Sequence, residues 1–151
     1  MRKLSEAQVR DLVALAKEKE ERPNLRRTNL FAINLFRADL SGADLSEADL
    51  TGTVLTEANL SDANLQNAKL SRTNFFGANL SGANLSRADL FQASLREANL
   101  QNADLRGAIL NETDLTGADL SGANLQGARY TGYTKWSLDF DPDEAGAIRR
   151  G

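Results

Sequence analysis

The chain has 151 residues, a formal net charge of −3, and neither Cys nor His. That composition removes disulfides, zinc sites, thiol nucleophiles and the commonest general base together. The N-terminus lacks an apolar core of signal-peptide length and no stretch could span a bilayer, so a cytoplasmic protein with no membrane association is expected.

Residues from about Glu6 to Glu20 read as an amphipathic helix. Ser5 and Gln8 form a capping-box pattern, and Val9, Leu12, Val13 and Ala16 recur on one face. Pro23 marks the exit. The expectation is an N-terminal capping helix, 1–23, lying over the open end of the region beyond Pro23; a docking helix for a partner is the alternative.

From Asn24 to Tyr130 the chain advances in steps of five. Every fifth residue from Leu25 to Leu125 is Leu, except Phe75. Two places earlier sits a small residue, usually Ala, and one place earlier usually Asn or Asp, as in Ala43-Asp44-Leu45-Ser46-Glu47. A period of five suits neither an α-helix nor an alternating strand. Within one unit the Ala and the Leu are two apart, so an extended segment points both to one side. The next two residues carry turn chemistry. Each unit therefore reads as a short edge and a corner.

The interior small position departs from Ala at Thr28, Ile33, Thr53, Thr73 and Thr113, with Pro23 at the start. Four of these five differ by multiples of twenty, which favours a four-sided coil over a three-sided one. The A(D/N)LXX pattern resembles the pentapeptide-repeat family, most of all its small members from photosynthetic bacteria. The resemblance implies an all-β solenoid: a right-handed quadrilateral β-helix of about five coils, with an N-terminal α-helix cap and an irregular C-terminal cap. Its domains are expected at 1–23, 24–130 and 131–151. Strand spacing would make it roughly 25 Å tall.

Burying each Leu contributes about 1.5–3 kcal/mol, while ordering each residue costs about 1–2 kcal/mol in backbone entropy. Hydrogen bonds between coils must therefore supply the remainder, and both ends need covers. The shaft is filled by Leu and Ala, so no ligand cavity is expected. The inward Thr53, Thr73 and Thr113 need acceptors. A nearby backbone carbonyl is expected, with a hydroxyl ladder as the alternative. The Asx columns, such as Asp39, Asn59, Asn79, Asn99 and Asp119, read as local backbone acceptors. A flat column does not converge on calcium, nor does a convex rod offer a cleft for paired acids.

Outward, the residue after each Leu is usually polar, but it is Phe at Phe31, Phe36, Phe76 and Phe91. With a twenty-residue coil these fall on two adjacent faces, joined by Val54 and Ile109 from the Asx column. They form a possible partner surface; alternatively, Phe31 and Phe36 lie beneath the N-terminal helix. From Thr131 the phase is lost, and Tyr130, Tyr133, Trp136, Leu138 and Phe140 read as a plug, with Asp141-Pro142 a turn. End-to-end dimerisation through these aromatics is the alternative.

Between Asn24 and Tyr130 there are 12 acidic and 9 basic residues and no basic stripe, so direct nucleic-acid binding is not expected. The expected function is a non-catalytic protein-binding scaffold or adaptor, a monomer or weak dimer, with an unknown protein partner. No catalytic, metal or cofactor residues and no small-molecule substrate are expected. The resemblance implies one alternative, a DNA-mimic inhibitor or protector of DNA gyrase; members of that kind are strongly acidic, whereas this surface is nearly balanced.

Overall fold

The computed structural model describes residues 1–151. Its geometry starts at the corners. From Leu25 to Leu125, the residue two places after each Leu (or Phe75) has a positive φ, from 53° at Arg37 to 72° at Gly117. The amide three places after the Leu donates back to its carbonyl, as in Ala38 to Leu35 at 3.0 Å and Ala83 to Leu80 at 3.0 Å. A positive φ at the third residue with an i to i+3 bond is a type II turn. Many of these positions are not glycine (Arg27, Glu57, Arg72, Glu97), so each costs about 1–2 kcal/mol of local strain. Stacking has to offset that cost.

Stacking has a single register. Parallel bridges join residues twenty apart, from Asn24 with Asp44 to Asp104 with Asn124. Four pentads separate the partners, so the pentads fall into four stacks. Stack A begins with Leu25, stack B with Leu30, stack C with Leu35 and stack D with Leu40. Ile33, Thr53, Thr73 and Thr113 share stack C, whose bridges run Asn34, Val54, Asn74, Ser94, Asp114.

The expected all-β solenoid, a right-handed quadrilateral β-helix, is corrected by the sheet structure. Sheet proper is confined to two parallel pairs of two-residue strands. In the first, β1 (Arg2–Lys3) pairs with β2 (Thr28–Asn29); in the second, β3 (Arg129–Tyr130) pairs with β4 (Ile148–Arg149). The longest regular element is a helix, α1 (Glu6–Glu18). Everywhere between, contact consists of isolated one-residue bridges. The physical cause is the corner: a left-handed residue in every fifth position keeps each extended run to one or two paired residues.

Despite this, the backbone polar groups are well satisfied. In the pentad Ala78–Gly82, the Ala78 amide closes the turn on Phe75 O at 2.9 Å. Asn79 donates to Ala58 O at 2.9 Å, Leu80 to Asn99 O at 2.7 Å and Gly82 to Gln101 O at 2.9 Å. The fifth amide, on Ser81, has no stacked partner and donates to Asn79 Oδ1 at 3.1 Å. The Asx before each Leu is therefore an acceptor for the one amide that stacking leaves out. Inside, the Leu residues from Leu25 to Leu115 and Phe75 are fully buried. The inward threonines donate to carbonyls one layer down: Thr53 to Leu30 O at 2.6 Å, Thr73 to Leu50 O and Thr113 to Leu90 O at 2.8 Å.

At the N-terminal end the expected helix is present, ending at Glu18, with both halves of the Ser5/Gln8 capping box formed. Val9 and Val13 are buried beneath it. Arg10 reaches Phe36 O at 3.3 Å, and Lys17 bonds Asp39. Before the helix, Arg2-Lys3-Leu4 supplies a piece of a layer below stack B. Leu4 donates to Asn29 O at 3.1 Å and is buried, a role its sequence context did not reveal.

At the C-terminal end the fivefold phase slips by one residue after Thr131, and stacking continues beyond it. Leu115 donates to Lys135 O at 2.7 Å, and Thr134 donates to Leu110 O at 2.7 Å, as Thr113 does to Leu90. Thr134-Lys135-Trp136 is thus another stack C edge, displaced by one inserted residue. Trp136 stands edge-on to Tyr130 at 5.4 Å and stacks on Phe140 at 5.3 Å, in the manner of a plug.

Two substitutions test the amide accounting. Asn79→Ala strips the Ser81 amide of its acceptor and should lower unfolding stability by about 1 kcal/mol. Ser94→Asn, which offers an acceptor to the unpaired Arg96 amide, should raise it by about 0.5–1 kcal/mol. Urea titrations of both variants read the result; equal shifts of one sign contradict the assignment.

Candidate interaction surfaces

The interior offers no chemistry. Its only polar side chains are hydroxyls already bonded to carbonyls, and no group of three or more His, Cys, Asp or Glu is placed to hold a metal. Any function must act at the outer surface, and there the four stacks differ.

Stacks A and D are uniform. Each Asx in them, from Asn24 to Asn124 and from Asp39 to Asp119, accepts the amide two residues on; examples are Asn24 at 3.1 Å and Asp119 at 3.0 Å. Their serines reinforce this, with Ser61 and Ser81 hydroxyls each 2.8 Å from the same Asx oxygen. Stacks B and C hold every departure from Asx: Val54, Lys69, Ser94, Ile109 and Arg129. At four of them the dependent amides, on Thr56, Ser71, Arg96 and Asn111, have no partner within the chain. The Asn111 side-chain oxygen is also buried without a partner.

The same two stacks carry the four outward Phe residues. Phe31, Phe36 and Phe76 are 54%, 42% and 41% exposed, whereas Phe91, Val54 and Ile109 are half-buried. Phe31 and Phe36 stay exposed although α1 lies close by, with Arg10 reaching the Phe36 carbonyl. The Arg37 guanidinium sits 4.9 Å over the Phe36 ring. No two of these rings stack on each other. The structure places Phe31 and Phe91 in one column, and Phe36 and Phe76 in the next, as a dispersed apolar side.

Charge is also unequal. Stack D bears Asp39, Asp62 and Asp119 and has no Lys or Arg of its own, whereas each other stack mixes signs. Lys17 from α1 bonds Asp39, and this holds the carboxyl below the usual carboxylate range. The Ser121 hydroxyl and amide do the same for Asp119. On stack A, Arg27 and Arg26 clasp Glu47 at 2.8 and 2.7 Å and lower its pKa, and Arg106 does so for Asp104. At the C-terminal end the Tyr130 hydroxyl donates to Asp143 at 2.6 Å, and that carboxylate pushes its pKa up.

The same repeats are found in known proteins. The sequence matches the family description "Pentapeptide repeats (8 copies)" over 33–72, 58–96, 68–107 and 98–129. No curated protein matches it. Among solved structures, a pentapeptide repeat protein from Nostoc Pcc 7120, alr5209, is 34% identical over 99% of this chain and 98% of its own, with a TM-score of 0.38. A pentapeptide repeat protein from the Arabidopsis thaliana thylakoid lumen is 32% identical over 74% of this chain and 70% of its own, with a TM-score of 0.49. QnrB1, a plasmid-mediated fluoroquinolone resistance protein, is 18% identical over 84% of each chain, with a TM-score of 0.36.

Two expectations are corrected. A cytoplasmic location does not stand, because a 32% identical relative is a thylakoid-lumen protein. The expectation against direct nucleic-acid binding does not stand either: it rested on the absence of a basic stripe and on charge counts between Asn24 and Tyr130, and such counts do not describe the unequal charge of the four stacks. The repeat residues and the relatives agree: this chain belongs to the pentapeptide-repeat family.

Proposed function

We propose that the chain acts without chemistry, as a scaffold that binds a protein partner through the side formed by stacks B and C. One observation carries this reading. Stacks A and D keep an Asx at every position that needs one, whereas stacks B and C give up five, and Val54 and Ile109 put apolar side chains there instead. Four of the five losses leave an amide without a partner in the chain, each at a cost of order 1 kcal/mol. Local rules broken together on one side, without a structural gain, mark a side under another demand. Exposed Phe31, Phe36 and Phe76 add the apolar area that a partner would bury. Expressing Phe76→Ser/Phe91→Ser beside wild type as affinity baits tests it. A partner enriched by wild type should fall about tenfold or more with the double variant; equal recovery of all partners contradicts the proposal.

A second reading has its own observation. Stack D carries Asp39, Asp62 and Asp119 and no Lys or Arg of its own; Lys17 of α1 pairs with Asp39, which leaves Asp62 and Asp119 as its unpaired carboxylates. Outward carboxylates of this kind are the feature that a DNA-mimic inhibitor or protector of DNA gyrase would use. In a supercoiling assay it requires inhibition, or relief of fluoroquinolone inhibition, at micromolar protein, and Asp62→Asn/Asp119→Asn should weaken the effect. Unchanged supercoiling under both conditions removes it.

A further inference from the structure

The two ends of the stacks are not closed alike. At the N-terminal end, β1 lies under stack B, and α1 lies beside stacks C and D through Arg10 and Lys17. At the C-terminal end, Lys135 bridges to Asp114 on stack C, Ile148 and Arg149 pair with stack B, and the Gly127 amide of stack A donates to Gly146 O at 2.9 Å. Stack D receives nothing. In the layer below, Leu100 donates to Asp119 O at 2.8 Å, Asn102 to Ser121 O at 2.9 Å, and Ala98 O accepts from Asp119 at 3.0 Å. The equivalent groups of the last layer, the Leu120 and Gly122 amides and the Ala118 carbonyl, have no partner in the chain.

These three groups are arranged as in an edge strand, in the positions that join every other pair of layers in this stack. Residues 117–121 and 137–140 line an open hollow of about 490 Å³ above them. Leu120 is 7% exposed, while Leu40, Leu60, Leu80 and Leu100 below it are fully buried. Leu138 stands beside the hollow 92% exposed. The site therefore offers free backbone donors and an acceptor, with the exposed Leu138 side chain as apolar surface beside them. Its charge has one sign. Asp119 is the last outward Asx of stack D, Asp139 lines the hollow, and no Lys or Arg does so.

We propose that an extended segment of a partner protein, bearing Lys or Arg, adds to this edge as one further layer of stack D. Its apolar side chain would pack against Leu138, and its first outward side chain would stand above Asp119. This site is separate from the side formed by stacks B and C and does not depend on it. A competing occupant, an acidic segment, is repelled by Asp119 and Asp139 and serves as the control.

The full chain can be titrated with a fluorescein-labelled heptapeptide, Gly-Ala-Arg-Leu-Arg-Gly-Gly, and with its counterpart carrying Glu in place of Arg. Amide exchange at Leu120 and Gly122 should slow at least fivefold with the Arg peptide. The Glu peptide should bind at least tenfold more weakly. Asp119→Asn/Asp139→Asn should lose at least tenfold in affinity for the Arg peptide while keeping its thermal midpoint. Asn already fills the stack D column at Asn59, Asn79 and Asn99, and it tolerates the left-handed conformation of Asp139. Absence of binding at millimolar Arg peptide, binding without protection of Leu120, or equal binding of the Glu peptide each overturns the proposal.

Discussion

The structure depends on how five amides per pentad are satisfied when the chain turns after every short edge. A left-handed residue at each corner prevents long strands, so an ordinary ladder cannot form. Three amides per pentad then bond to the layers above and below, one closes the turn, and the fifth is left to a side chain. For the pentad Ala78–Gly82 all five bonds lie between 2.7 and 3.1 Å. Asn or Asp before the Leu is thus a backbone requirement, in the same sense that Leu is a packing requirement. Because the corners cost strain and each layer is satisfied only by its neighbours, stability is collective, and the outermost layers are where the scheme fails.

That failure is handled in two ways. The chain adds fragments of further layers, with Leu4 under stack B and Thr134-Lys135-Trp136 over stack C. It also covers the remainder with α1 at one end and the Tyr130, Trp136 and Phe140 rings at the other. The interior is filled by Leu and Ala, and the inward threonine hydroxyls are bonded, so the stacks differ only at the outer surface. The outer surface is divided between two regular polar stacks and two stacks that sacrifice backbone acceptors for Val, Ile, Lys, Ser and Arg.

Much of this was legible in the residues. The fivefold step, the inward Leu and Ala, the Asx acceptors and the twenty-residue spacing of Ile33, Thr53, Thr73 and Thr113 all follow from period and side-chain chemistry. The capping box on Ser5 and Gln8 was equally readable. What was not legible lies where a short fragment joins out of period. Leu4 looked like a residue before a helix, and one inserted residue near Gly132 and Tyr133 concealed the pentad at Thr134. Sheet content was overestimated because spacing reveals register but not φ, and φ at the corners decides how long a strand can run. Outward Phe31, Phe36, Phe76 and Phe91 were found by contrast with their polar neighbours. Val54 and Ile109 leave the Thr56 and Asn111 amides unpaired, a consequence that no sequence pattern displays.

The twenty-residue register can be tested by cross-linking, since the chain has no cysteine to interfere. Adjacent layers stand about 4.8 Å apart, inside the Cα separation that a disulfide tolerates. Ser61→Cys/Ser81→Cys places two thiols one above the other in stack D, and Ser61→Cys/Phe76→Cys places them fifteen residues apart on different stacks. Mild oxidation of the folded protein should link the first pair rapidly and leave the second as free thiols. Rapid linkage of the second pair with none of the first would contradict the account.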